Sequence, residues 1–146
     1  MANNDGLQTV LEKEIQPGDF DSGGEVSSEI KDLLRKLGVP AEVVRKASIA
    51  AYELEMNIII HSEGGEMETK VKPGSIKIIA RDQGPGIKDV EKAFQPGYST
   101  AGEAVREMGF GAGMGLCNVE SYSDRVKVES EVKKGTRIEA YINFER

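Results

Sequence analysis

The sequence predicts an α+β fold, a two-layer sandwich in which a mixed but mostly antiparallel sheet is backed by helices. Two observations support this class. Segments with helical periodicity are grouped between short segments with β-strand character, and most of these strands are joined to a neighbour by a tight turn, as in hairpins. The chain has 146 residues, a length that one hydrophobic core can support, so residues 1–146 are expected to form a single domain.

The first part of the chain predicts one strand and two helices. Residues 9–15 favour a strand, and a turn-rich stretch follows them. The first helix is predicted over 25–37, because apolar residues recur there at helical spacing and Gly38 follows as a stop signal. Pro40 begins the second helix, which should continue to about His61.

The second part of the chain predicts four strands and two helices around a glycine-rich connection. The tight turn Lys72-Pro-Gly74 indicates a hairpin before it, and Lys133-Lys-Gly135 indicates another near the end. The predicted elements are strands at 66–72 and 75–81, a short helix at 90–94, a connection through 95–112, a helix at 113–122, and strands at 125–131 and 136–143.

Charge and hydrophobicity limit the classes of partner. The net charge of −6 disfavours nucleic acid, because affinity for a phosphate backbone comes largely from Lys and Arg. The longest purely aliphatic run, residues 58–60, is far too short to cross a bilayer. The N-terminus has neither the basic start nor the apolar stretch of a secretory signal. We therefore expect a cytoplasmic protein with no direct nucleic-acid or membrane partner.

The second helix carries a polar stripe. Glu53, Asn57 and His61 lie at i, i+4 and i+8, which places them along one face, bordered by aliphatic residues on both sides. A solvated face is the alternative interpretation, but other polar residues, Arg45, Ser48, Tyr52 and Glu55, already supply a polar arc on the opposite side. A polar stripe between aliphatic rows favours the lining of a pocket.

Two glycine-containing segments follow this helix. Asp82-Gln-Gly84-Pro-Gly86 comes directly after a predicted strand and by itself indicates only a tight turn. Gly109-Phe-Gly111-Ala-Gly113-Met-Gly115 lacks the preceding strand of a dinucleotide fingerprint, and the chain has no Gly-Lys-Ser/Thr of a Walker motif. A flexible loop is the alternative for the second segment.

Together, the order and separations of these segments resemble a known superfamily. The Glu53 to Asn57 helix, the Asp82 loop, the glycines up to Gly115 and a late Gly135-Thr136 are similar to the motifs of the gyrase, histidine kinase and MutL (GHKL) ATPases. Within it, the small size and the stretch Phe94-Gln-Pro-Gly-Tyr-Ser-Thr100 resemble the anti-sigma-factor and stress-switch serine/threonine kinases. The resemblance implies a Bergerat-type ATP-binding fold and the cofactors ATP and Mg²⁺.

The resemblance also assigns roles to individual residues. It implies that Glu53 is the general base and that Asn57 is a magnesium ligand, roles suited to a carboxylate and an amide oxygen. Asp82 would accept a hydrogen bond from the adenine amine, with Thr136 supporting it. Guanine has an oxygen in place of that amine, so an acceptor would face an acceptor and ATP would be preferred over GTP. Gly84 and Gly86 would also belong to the cofactor-binding residues, because they would let the backbone approach the base closely.

The connection over 95–112 would be an ATP lid. Gly111, Gly113 and Gly115 would form the turn into a helix whose free N–H groups hold phosphates. Ser99 and Thr100 match the stress-switch kinases and are included among the predicted cofactor-binding residues. The lid is longer than in those kinases, and Gly111 occupies the position where sigma-inhibiting kinases have an arginine. Arg106 is the only lid arginine, and both a γ-phosphate contact and a plain surface charge remain open for it.

The resemblance implies three functions to compare. The first is a serine/threonine protein kinase that phosphorylates a small STAS-domain regulator of the anti-sigma antagonist type. The second is an ATP-loaded regulator that acts mainly by sequestering a sigma factor or another switch protein. The third is a bare ATPase or a nucleotide-binding remnant, which the absence of room for transducer domains disfavours. The partner's identity and the oligomeric state stay open, with a homodimer as one alternative.

Overall fold

The computed structural model describes residues 6–18, 20–84 and 115–144. The predicted short helix at 90–94 and the predicted lid at 95–112 lie outside these ranges. The elements in chain order are β1 (Gln8–Ile15), a 3₁₀ turn (Phe20–Ser22), α1 (Glu25–Lys36), α2 (Ala41–His61), β2 (Gly65–Lys72), β3 (Ser75–Asp82), α3 (Gly115–Ser121), β4 (Arg125–Glu131) and β5 (Gly135–Asn143). The predicted elements within the described ranges are thereby confirmed, with bounds that differ by at most two residues.

The five strands form one sheet in the order β1-β2-β3-β5-β4. Every pairing among the described strands is antiparallel, so the mixed part of the predicted sheet is not found there. The predicted α+β class, with helices backing the sheet, is confirmed. The pairing of β3 with β5 is a long-range contact, and it sets the last residue of β3, Asp82, opposite Thr136 near the start of β5.

One face of the sheet and the three helices enclose the core. Alternation along β3 turns Ile76, Ile78 and Ala80 toward the helices, where they join the fully buried Ile30 and Leu34 of α1. Burying one isoleucine or leucine side chain contributes about 1.5–3 kcal/mol to the stability of the fold. The opposite face of the sheet is charged, and pairs such as Lys77 Nζ with Glu139 Oε1 at 2.6 Å cross it.

Helix α1 begins without a side-chain cap of its own, because Gly24 occupies the cap position. A carboxylate from α2 takes that role. Glu55 is only 2% exposed, and it accepts the backbone N–H groups of Gly24 (3.0 Å), Val26 (3.2 Å) and Ser27 (3.1 Å). The predicted solvated polar arc that included Glu55 is therefore wrong at this residue. The free N–H groups and positive end of α1 hold the carboxylate in the interior.

No helix in the described ranges is long and apolar enough to span a membrane.

Candidate functional site

Helix α2 positions two of the predicted site residues. Glu53 and Asn57 lie one helical turn apart, and both are partly exposed, whereas Leu54, Met56 and Ile58 between and beside them are buried. The polar stripe is therefore a partly open strip that is bordered by buried aliphatic residues in this part of α2. His61 is the last residue of α2.

The Glu53 carboxylate lies beside α3. Its Oε1 accepts a hydrogen bond of 3.4 Å from Asn118 Nδ2. Burial raises the pKa of the Glu53 carboxyl above its ordinary value, and the hydrogen bond from Asn118 opposes this rise. A carboxylate with a raised pKa binds a proton more readily, which suits the predicted role as a general base near neutral pH. Asn118 was not among the predicted site residues.

Asp82 lies at the other end of the site, where β3 stops. The backbone N–H of Thr136 donates to Asp82 Oδ1 at 3.2 Å. Burial raises the pKa of Asp82 to about 6, although the Thr136 hydrogen bond acts in the opposite direction. The Thr136 hydroxyl lies 2.8 Å from the hydroxyl of Ser130. Thr136 thus supports Asp82 through its backbone, while its side chain pairs with β4.

Two glycines permit the close approach of backbone around Asp82. Gly135 has φ +124°, and a Cβ there would clash with the carbonyl oxygen of Asp82. A Cβ on Gly84 would lie 3.1 Å from the Cα of Ser62, directly after α2. Gly84 therefore packs closely against the residue that follows α2, and its predicted approach to the base stays a prediction.

Backbone hydrogen bonds join the end of α2 to the Asp82 loop. The N–H of Glu63 donates to the Gln83 carbonyl at 2.8 Å, and the N–H of Gln83 donates to the Gly64 carbonyl at 3.0 Å. Asn57 precedes this junction by about 7.5 Å along the helix, and Glu53 by about 13.5 Å. The structure therefore places the Asp82 loop at the end of the strip that carries Glu53 and Asn57.

Several predicted residues cannot be placed. Gly86, Ser99, Thr100, Gly111, Gly113 and Arg106 lie outside the described residues. Gly115, the last glycine of the motif, is the first residue of α3 within the described residues.

The Asp82 carboxylate and the Asn57 amide are groups that could bind an adenine nucleotide with magnesium. A half-buried acceptor carboxylate at Asp82, with a pKa raised to about 6, is stabilised in its ionised form by an added hydrogen-bond donor such as the adenine amine. Among the described residues, no group of three or more His, Cys, Asp or Glu side chains is placed to hold a metal ion. A magnesium ion would accordingly depend on Asn57, phosphate oxygens and water, a ligand set that this ion commonly uses.

The chain matches a family model and is similar in sequence to named bacterial proteins. A family model described as the histidine kinase-like ATPase domain matches residues 17–142. The anti-sigma F factor of Geobacillus stearothermophilus is 36% identical over 100 residues, which are 68% of this chain and 62% of that protein. The serine/threonine-protein kinase RsbT of Bacillus subtilis (strain 168) is 32% identical over 115 residues, which are 75% of this chain and 80% of RsbT. The chain thus spans less than two thirds of the length of the anti-sigma F relative.

Solved structures share the fold at low sequence identity. A chain in the crystal structure of the SiaB-SiaC complex from Pseudomonas aeruginosa matches with a TM-score of 0.62 and 13% identity, over 92% of this chain and 89% of that one. The mycobacterial sensor histidine kinase MprB matches with a TM-score of 0.52 and 18% identity, over 92% of this chain and 99% of that one. The family model and the curated relatives show that the chain belongs to the histidine kinase-like ATPase family, in its group of anti-sigma-factor and serine/threonine kinases.

Proposed function

We propose that this protein is an ATP-dependent serine/threonine kinase that phosphorylates a small STAS-domain regulator in a bacterial partner-switching pathway. The observation that carries the proposal is the placement of Glu53. Its carboxylate is half-buried on the same helix as Asn57, in a family whose relatives include a protein named as a serine/threonine kinase.

In this proposal the Asp82 end of the site binds the nucleotide base, and the helix α2 end binds magnesium and takes part in phosphoryl transfer. Asp82, with Thr136 behind it, would recognise the adenine amine, and Asn57 would contribute an amide oxygen to magnesium. When bound, Mg-ATP supplies the γ-phosphoryl group for transfer. Glu53 would accept the proton of the attacking serine or threonine hydroxyl on a carboxylate oxygen, so that the hydroxyl oxygen carries more negative charge as its bond to the γ-phosphorus forms. The bond from the γ-phosphorus to the bridging oxygen of ATP breaks in the same step, and ADP leaves.

The test is transfer of labelled phosphate. The purified protein is incubated with Mg-[γ-³²P]ATP and a candidate STAS-domain protein from the same genome. We expect label on a serine or threonine of the STAS protein, and loss of that label with Glu53→Gln. The matched control is Glu120→Gln, the same substitution at an exposed position of α3, which should transfer at the native rate. Absence of label with the native protein would refute the kinase assignment for that partner.

The second candidate is stoichiometric sequestration of a sigma factor. It is favoured by the 36% identity to a protein named anti-sigma F factor. The two candidates differ in a binding experiment with ATP present. Sequestration predicts a stable complex with a sigma factor that persists with Glu53→Gln, whereas the kinase proposal places the effect of that substitution on transfer.

A further inference from the structure

Asn118 is held against Glu53 by the packing of α3 on α2. Leu116 and Val119, three positions apart, are 8% and 0% exposed and turn one face of α3 into the core. This orientation of α3 about its axis fixes the direction of the Asn118 side chain. Asn118 is partly exposed, and its Nδ2 lies 3.4 Å from Glu53 Oε1. The contact thus depends on two buried anchors.

The chemistry of the pair is asymmetric. An ionised carboxylate only accepts hydrogen bonds, and the Asn118 contact uses the amide nitrogen, which only donates. The bond restricts rotation of the carboxylate at Oε1 and leaves Oε2 for another donor. It also favours the ionised form, against the burial that raises the pKa of Glu53. Hydrogen bonds at catalytic groups are often long before the substrate is bound, and 3.4 Å fits that description.

We infer that Asn118 is a positioning residue that orients the Glu53 carboxylate, so that Oε2 faces the incoming hydroxyl. This inference rests on the proposed function for its consequence in phosphoryl transfer. Its structural part, a hydrogen bond that holds and stabilises the Glu53 carboxylate, is independent of that function.

The kinetic test uses three substitutions. Asn118→Leu removes the donor at similar volume, and we expect kcat for transfer to the STAS protein to fall about 10- to 100-fold, the range for losing a hydrogen bond to a charged group. KM for ATP should change by less than about 2-fold, because the bond acts on the base. Asn118→Asp, which sets an acceptor against an acceptor, should be at least as impaired. Asn118→Gln, which keeps the amide, should recover most of the activity.

A double substitution separates positioning from general damage. In a Glu53→Gln background, Asn118→Leu should lower the residual rate by less than about 2-fold, since residues that act as one unit are not additive. A full additional loss there would show that Asn118 acts elsewhere and would overturn the inference. So would native kcat in both Asn118→Leu and Asn118→Asp.

A readout without nucleotide distinguishes this inference from the proposed function. The pKa of the Glu53 side chain is followed by ¹³C NMR in the nucleotide-free protein. It should rise in Asn118→Leu and Asn118→Asp relative to the native protein, because each removes a bond that favours the ionised form. An unchanged Glu53 pKa in both variants overturns the inference. If the native protein transfers no phosphate, the proposed function fails, and this titration still decides the role of Asn118.

Discussion

We expect the Asp82 carboxylate to destabilise the folded, nucleotide-free protein and to be required for ATP binding. A carboxyl whose pKa is raised on folding binds protons more tightly in the folded state. Its unfavourable contribution to the free energy of folding is therefore absent below the pKa of the unfolded state, 3.8, and grows as the pH rises. It is complete above the pKa of the folded state, which is about 6. At pH 7 the burial of this charge opposes folding.

The size of this cost follows from the two pKa values. The change from 3.8 to about 6 corresponds to about 3 kcal/mol for a fully desolvated group. Because the Asp82 carboxyl is only half-buried, solvent screening reduces this to about 1–2 kcal/mol. Asp82→Asn keeps an oxygen for the Thr136 N–H, so at pH 7 it should raise the melting temperature by about 3–6 °C.

The same substitution should abolish ATP binding. An amide in place of the carboxylate loses the charge, and in its flipped orientation it presents a donor to the adenine amine. Calorimetry with Mg-ATP measures the binding, and thermal unfolding at pH 7 and pH 5 measures the stability. The stability gain should shrink at pH 5, because the native Asp82 is largely protonated there.

Asp124 offers a matched control. It is exposed, yet its Oδ2 also accepts a backbone N–H, that of Asn143, at 2.7 Å. Asp124→Asn should therefore give neither the stability gain nor the loss of ATP binding. A less stable Asp82→Asn protein at pH 7 would contradict the burial argument, and equal affinity for ATP and GTP in the native protein would contradict the adenine assignment.

Three further predictions address the rest of the site, and a fourth addresses the fold. Glu53→Gln should keep ATP affinity within a few fold in calorimetry and lower phosphoryl transfer by ~10²–10⁴ in the labelled assay, and a native rate would make Glu53 structural. Asn57→Ala should weaken ATP binding in magnesium but not in EDTA, so equal losses in both would remove it as a metal ligand. Gly113→Val should block ATP binding, and Mg-ATP should protect residues 97–112 of the native protein from hydrogen exchange; equal protection in both states would exclude a closing lid. Glu55→Gln should lower the free energy of unfolding by about 1–3 kcal/mol, measured in urea, because it replaces an acceptor oxygen of a buried carboxylate with an amide nitrogen.

The sequence predicts local structure well because local signals determine it. Helix α2 ends at His61 as predicted, and the Lys72-Pro-Gly74 turn produces the expected β2–β3 hairpin. The contacts between side chains of different elements were harder to predict from the sequence. Asn118 meets Glu53 only through the packing of α3 on α2, which no periodicity within either helix specifies. Likewise, the register between β3 and β5 shows that Thr136 holds Asp82 through its backbone N–H.

Glu55 and Glu53 illustrate why residue type alone misleads. They lie two positions apart on α2, and the helical pattern predicts Glu55 on a solvated face. Glu55 instead accepts three backbone N–H donors at the start of α1, so its charge is compensated within the fold. Among the described residues, Glu53 accepts one long hydrogen bond, from Asn118, and burial raises its pKa. A buried carboxylate that is held by several backbone donors stabilises the fold, whereas a half-buried carboxylate with fewer donors around it is able to take a proton from a substrate. The number of donors around each carboxylate therefore assigns Glu55 to the fold and Glu53 to the proposed chemistry.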